Sequence, residues 1–145
     1  MQVTAFTWVV AMAGIVIIGF LFIAQLIAIL KPREQWTIDN VYGGTPDATD
    51  ATAYFAFNQG FAWADVFYWA PLQLCGSIGM LLGQRWGFLI VLAASVPYWY
   101  SAIPIYVWDR DLGFAQNTFF YWVVVWGMFP AYGVIAGIYC FVRLL

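Results

Sequence analysis

The chain of 145 residues contains no histidine. Histidine is the commonest metal ligand in proteins, a usual axial ligand of haem iron and the usual general base near neutral pH. Its absence argues against a histidine-ligated haem or metal centre, and we predict neither a metal site nor a cofactor. General acid–base catalysis needs a positioned proton donor or acceptor. We therefore assign no catalytic residue and favour a protein that is not an enzyme.

Charged residues are also scarce, at 8% of the chain against roughly 25% in an average soluble domain. The chain is 65% hydrophobic, and its mean hydropathy is +0.83. A water-soluble fold of this size has too much surface for its volume to bury so many apolar side chains. We therefore predict a single integral membrane domain whose main partner is the lipid bilayer. With five basic residues and a net charge of -2, nucleic-acid binding is not expected.

There are two cysteines, Cys75 and Cys140, and each lies within an apolar run. Their spacing matches neither a zinc site nor a CxxC redox motif. We expect two inert, buried thiols rather than a disulfide.

Four apolar segments predict membrane-spanning helices, at about 4–30, 54–82, 86–108 and 119–145. The first is long enough to cross a hydrocarbon core about 30 Å thick, and Lys31-Pro32-Arg33-Glu34 ends it. A polar loop of about 20 residues follows, at 35–53. The predicted fold is all-α: a multi-pass bundle of four transmembrane helices, with this loop between the first and the second.

Four spans place both termini on one side of the membrane, together with Arg85 and Arg143. Lys31, Arg33 and Arg110 lie on the other side, with most of the acidic residues. The count of basic residues alone would put that second side in the cytoplasm. Because the acidic loops weaken this signal, we predict instead that the termini are cytoplasmic.

Asp65 stands inside the second apolar segment. A charged side chain within the hydrocarbon is costly and often marks a functional site. At 1.5 Å per residue, it lies in the outer third of the bilayer. It is either a ligand-binding or proton-carrying carboxylate, or a structural group that hydrogen-bonds neighbouring amides or pairs with Arg110.

Aromatic residues make up 21% of the chain and concentrate in the half that carries the larger loops. An interfacial belt explains many of them. Their excess near Asp65 and near Pro97 and Pro104, which should kink the third span, indicates an apolar pocket with a few polar groups. The candidate residues for binding a lipid or another apolar ligand, or for carrying a proton, are Asp65, Asn58, Gln59, Trp63, Trp69, Tyr98, Tyr100, Asn117 and Trp122.

The second and fourth spans share a pattern, F-A-x-N-x-x-F-x-W followed by a proline thirteen residues after the asparagine. It runs from Phe55 to Pro71 and again from Phe114 to Pro130. Such a repeated pattern can arise from duplication of a two-helix unit or by chance in an aromatic-rich chain. In this alignment Asp65 falls on Val124, so only one copy carries the acid.

Glycines spaced four residues apart occur at Gly79, Gly83 and Gly87 and again at Gly133 and Gly137. Such spacing lets helices pack closely, either within the bundle or in a homo-oligomer or larger membrane complex. Three functions follow as hypotheses. The first is a non-enzymatic accessory subunit of a membrane complex or a binder of a small apolar ligand. The alternatives are a small proton-coupled transporter that uses Asp65 and a membrane enzyme acting on a lipid-soluble substrate.

Overall fold

A computed structural model describes residues 1–42, 51–111, 119 and 122–145. Over these ranges the chain is helical and contains no β-strand. Two of its helices contain a π-helical stretch, at Asp65–Trp69 and at Trp122–Met128. The α-helices are α1 (Ala5–Leu30), α2 (Gln35–Asn40), α3 (Ala51–Ala64), α4 (Ala70–Leu81), α5 (Arg85–Tyr100), α6 (Ala102–Asp111) and α7 (Phe129–Leu144).

Within the part of the chain that the structure describes, three helices are long and apolar enough to cross a membrane: Ala5–Leu30, Arg85–Val107 and Trp122–Leu144. The prediction of an all-helical membrane protein is confirmed at this level. The predicted second span is also helical, because α3, the π-helical stretch and α4 run on from one another. It is not one of the three candidate spans. Its polar side chains lower its hydropathy, namely Asn58, Gln59, Asp65 and Gln73.

The long helices pack mainly against their neighbours in the chain. α1 lies against α3 and α4, α4 against α5, and α5 against α7. Between α1 and α7 contact is sparse, and it includes a hydrogen bond between the hydroxyls of Thr7 and Tyr139. The largest side chains of the main core are buried where these helices meet, and they include Ile18, Met80, Phe88 and Tyr98.

Local sequence signals set the ends of these helices. Thr4 caps α1: its hydroxyl accepts from the Thr7 amide at 3.2 Å, and the Thr7 hydroxyl accepts in turn from the Thr4 amide. α4 ends in a Schellman turn, in which Gly83 has a φ of 67° and the Gln84 amide donates to the Gly79 carbonyl. The terminal amine of Met1 donates to the carbonyl of Gly83. This tight turn makes α4 and α5 an antiparallel hairpin.

Both π-helical stretches end two residues before a proline, at Pro71 and at Pro130. Proline has no amide hydrogen, and its ring clashes with the carbonyl four residues earlier, so the preceding turn widens. In the first stretch, for example, the Ala70 amide donates to the Asp65 carbonyl five residues back. These two prolines occupy equivalent positions in the sequence pattern shared by the second and fourth predicted spans. Where both segments are described, the resemblance therefore includes a π-helical stretch before the shared proline.

Glycines permit the closest helix contacts. A Cβ atom at Gly87 would collide with the backbone of Gly79 and Met80. A Cβ atom at Gly133 would collide with Tyr98 and with the carbonyl of Ser95. These glycines thus serve packing between α4 and α5 and between α5 and α7, within one chain.

The two cysteines have different environments, and both are free thiols. Cys140 is buried as expected, but Cys75 is exposed, so the prediction of burial is wrong for Cys75. Gln73, Gly76 and Ser77 occupy the inward face of α4, and this leaves Cys75 on the outward face.

Replacing Gly87 by alanine should destabilise the protein, because α4 and α5 would have to move apart. Overpacking of this kind costs about 1–3 kcal/mol. Gly19→Ala is the matched control, since a Cβ there meets no atom within 4 Å and alanine favours the helix by about 0.5–1 kcal/mol. Thermal unfolding in detergent should show a lower Tm for Gly87→Ala and an equal or higher Tm for Gly19→Ala. Equal Tm values for the two variants would contradict this packing.

Candidate functional site

The end of α1 is joined to α2 and α3 through one backbone carbonyl. In a continuing helix the carbonyl of Ala28 would accept from the amide of residue 32, but Pro32 has no amide hydrogen. Instead, Gln59 Nε2 donates to this carbonyl at 2.6 Å, and the hydroxyl of Tyr42 donates to it at 3.3 Å. Gln59 Nε2 also lies 2.9 Å from the Tyr42 hydroxyl oxygen.

The segment after α1 is thereby held over the end of the bundle. Tyr54 donates to the carbonyl of Tyr42 at 3.0 Å, and Ile38, Tyr42 and Tyr54 form a small apolar core with Ala28 and Ala62. Burial raises the pKa of Tyr42, which keeps its hydroxyl protonated and able to donate. We call α2 together with Val41 and Tyr42 the cap.

Beneath the cap lies a cavity of about 210 Å³. Its wall is mainly apolar and is built from α1, the cap, the helix from α3 to α4, the junction of α5 and α6, and the start of the last helix. It is lined by Phe20, Leu21, Ala24, Gln25, Asn40, Val41, Tyr42, Phe57, Asn58, Phe61, Ala64, Asp65, Tyr68, Trp69, Pro97, Tyr100, Ser101, Ala102, Ile105, Val124, Val125 and Phe129.

Asp65 is the acidic residue in this wall, and it is only 7% exposed. Gln25 Nε2 of α1 donates to Asp65 Oδ2 at 2.9 Å. No basic side chain of the described residues pairs with Asp65; the ion pair between Lys31 and Glu34 lies near the end of α1. The sequence allows two structural roles for Asp65, a hydrogen bond with an amide and an ion pair with Arg110. The structure contains the first, in the bond from Gln25, and not the second.

Trp69 forms another part of the wall and fixes α4 to α5. Its indole Nε1 donates to the carbonyl of Ala94 at 2.9 Å. Its ring packs edge-on against Tyr98, with centroids 4.3 Å apart. Helix α5 turns into α6 at Ser101, whose hydroxyl donates to the Pro97 carbonyl at 2.6 Å. This part of the chain, which contains Pro97, presents Tyr100, Ser101 and Ala102 to the cavity.

The structure brings four of the nine sequence-predicted residues together at the cavity: Asp65, Asn58, Trp69 and Tyr100. Asn58 also donates to the Tyr54 carbonyl one turn back, at 3.0 Å. Tyr100 is 60% exposed, so it lies at the open edge of the cavity.

The other predicted residues lie elsewhere. Gln59 binds the end of α1 and the cap, as described above. Trp63 is 50% exposed and stacks on Phe67, while Tyr98 is buried in the main core. Trp122 packs near Trp126, with centroids 5.9 Å apart, and Asn117 lies outside the described residues.

Sequence reasoning missed several lining residues, above all Gln25. The signal was present, since Gln25 is the one amide in the apolar run of α1. A polar side chain at that depth needs a partner within the protein. Asp65 is the acid within the second apolar segment, and it lies toward the same side of the predicted bundle as Gln25. The contribution of the cap had no comparable signal, because it depends on how the polar loop folds back.

Comparison of the chain with protein-family models, with curated proteins and with solved structures gives no match.

Replacing Gln59 by alanine should loosen the cap, because the buried carbonyl of Ala28 then keeps only its longer bond to Tyr42. Loss of a hydrogen bond to a buried group costs about 1–3 kcal/mol. Gln35→Ala is the control, since its bond to Asp39 is exposed and should change stability by no more than about 0.5 kcal/mol. Hydrogen exchange should become faster at the amides of Ile38 to Tyr42 in Gln59→Ala only. Unchanged exchange there would show that Gln59 does not hold the cap.

Proposed function

We propose that this protein spans the membrane four times and binds a small, mainly apolar molecule in the cavity beneath the cap. The observation that carries the proposal is the cavity itself, in which aromatic and aliphatic walls surround a few polar groups. Concave, mostly apolar sites with a few placed polar groups are the usual form of small-molecule sites. The polar groups here include Asp65, Gln25 and Ser101.

The size of the cavity limits the ligand. An engineered cavity of about 150 Å³ holds benzene, and this cavity has about 210 Å³. A ligand with one aromatic ring, or an aliphatic body of similar size, and a short substituent fits this volume. A whole phospholipid does not, although one acyl chain end could enter.

The fourth span in this proposal is the helix Ala51–Leu81, in addition to the three candidate spans. Two features support it. The helix lies between α1 and α5, both of which are candidate spans. Its polar side chains also have protein partners, such as the Asp65–Gln25 pair and the bonds from Gln73 to Tyr132 and Ser77, which lowers the cost of placing them in lipid.

We also propose that another protein chain packs against the outward apolar faces of the helices. This chain would be a second copy, in a homo-oligomer, or another subunit of a larger membrane complex. The glycine positions 79, 87 and 133 are already occupied by contacts within the chain.

Four spans place both termini on the same side of the membrane, and we expect that side to be the cytoplasm. Reporters that are active on only one side, fused in turn to Met1 and to Leu145, should both report the cytoplasm. The same reporter inserted between α2 and α3 should report the opposite side. Termini on opposite sides would favour the three-span arrangement and contradict the proposal.

Ligand binding can be tested with neopentylbenzene, a neutral probe that has one ring and a compact alkyl group. Equilibrium dialysis of the protein in lipid nanodiscs should show saturable binding above that of empty nanodiscs. Ala64 lines the cavity, so Ala64→Phe should fill it and weaken binding at least tenfold. On the same helix, exposed Ala56 lies outside the cavity, and Ala56→Phe should bind as the wild type does.

Two results would contradict the binding proposal. One is the absence of saturable binding to the wild type. The other is an equal loss of binding in Ala64→Phe and Ala56→Phe, which would place the probe somewhere other than the cavity.

A further inference from the structure

We infer that the ligand of this cavity is an organic cation, an amine or quaternary ammonium group attached to an apolar body. The inference rests on the proposed function, because it names the chemical class of the molecule bound at the same site. It follows from the charge of Asp65, the aromatic walls around it and the absence of a basic group on the cavity wall.

Among the described residues, no basic side chain lies in an ion pair with Asp65. The side chain that hydrogen-bonds its carboxylate is the neutral amide of Gln25, through Oδ2. Among the described residues no group donates a hydrogen bond to the other oxygen, Oδ1, and none forms an ion pair with Asp65. Burying a carboxylate without a cation is unfavourable. A positively charged ligand would supply the missing charge.

Gln73 shows how this chain treats a polar group that has only a structural role. It is fully buried, and its amide donates to the Tyr132 hydroxyl at 2.9 Å and to the Ser77 hydroxyl at 3.0 Å. Gln73 does not line the cavity. Asp65 is almost as deeply buried, but it has one amide partner and borders open space. The amide oxygen of Gln73 also lacks a partner among the described residues. What marks Asp65 as a binding group is therefore its acidic side chain and the open space beside it.

The walls suit a cation. Eight of the described lining residues are aromatic, and they include Phe20, Phe57, Phe61, Tyr68, Trp69 and Tyr100. The face of an aromatic ring is negative and attracts ammonium groups, most strongly where water is excluded. A carboxylate at the wall of such a site adds a full negative charge to these partial ones.

The same wall disfavours anions. The lining residues that the structure describes include no lysine and no arginine. An anionic ligand would meet Asp65 and the negative ring faces with no charge to offset them. A neutral ligand would satisfy the apolar walls but would leave Asp65 uncompensated.

A pair of probes of the same shape tests the inference. Benzyltrimethylammonium and neopentylbenzene differ in one atom, a charged nitrogen in place of a carbon. In dialysis against wild-type protein in nanodiscs of neutral lipid, corrected for empty nanodiscs, the cation should bind at least tenfold more tightly. Asp65→Asn keeps the shape of the side chain and an acceptor for Gln25. It should weaken binding of the cation at least tenfold and change binding of the neutral probe less than twofold.

The outcomes separate this inference from the proposed function. If the neutral probe binds as tightly as the cation, or if Asp65→Asn leaves the cation's affinity unchanged, the cation inference is wrong and the apolar binding site stands. If neither probe binds saturably, the proposed function fails as well. If gel filtration shows that Asp65→Asn does not fold, the test uses wild-type protein alone. It then depends on the ratio of the wild-type affinities for benzyltrimethylammonium and neopentylbenzene. A ratio near one overturns the inference.

Discussion

Every polar group that this chain carries into its apolar helices has to find its partner inside the protein, because hydrocarbon offers none. The amide nitrogen of Gln73 meets this constraint by donating to Ser77 of the same helix and to Tyr132 of α7, although the amide oxygen of Gln73 has no partner among the described residues. Tyr132 also donates to the carbonyl of Val10 in α1, at 3.3 Å. A single buried amide therefore helps to fix three helices relative to one another.

The same constraint explains the end of the bundle that carries the cap. Pro32 stops α1 and leaves the carbonyl of Ala28 without its helical donor. Gln59 and Tyr42 supply the replacement, and in doing so they fix the cap above the cavity. Asp65 meets the constraint only in part, through Gln25. An acidic group with a partner on only one oxygen, beside a cavity, is the feature from which we infer a cationic ligand.

Much of the fold follows from composition and periodicity. The apolar runs predict the helices Ala5–Leu30, Arg85–Val107 and Trp122–Leu144, because each run is long enough to cross the membrane. The Gly83 turn predicts the hairpin of α4 and α5. The helix Ala51–Leu81 is harder to classify as a span, because polar residues lower its hydropathy. Some of these, such as Asp65 and Asn58, line the cavity. The π-helical stretches follow from Pro71 and Pro130 in retrospect. Proline alone, however, does not determine whether a helix kinks, unwinds or widens.

The candidate site is only partly predictable, for a physical reason. Asp65, Asn58 and Trp69 lie on one helix, so helical spacing places them together. Gln25 and Tyr42 reach the site from other elements, and their positions depend on packing between helices and on the fold of the cap. The sequence predicts Trp63 and Tyr98 in the site because both are aromatic, and because Trp63 is close to Asp65 and Tyr98 follows Pro97. Their side chains instead face the core and the outer surface, which residue type alone does not reveal.

Binding of a small molecule in the cavity beneath the cap can be observed directly. The measurement is an experimental density map of the protein purified from its native membranes in mild detergent. We expect non-protein density between Phe61 and Tyr100, within contact distance of Asp65. A map in which these side chains close on one another and leave no space beside Asp65 would contradict it.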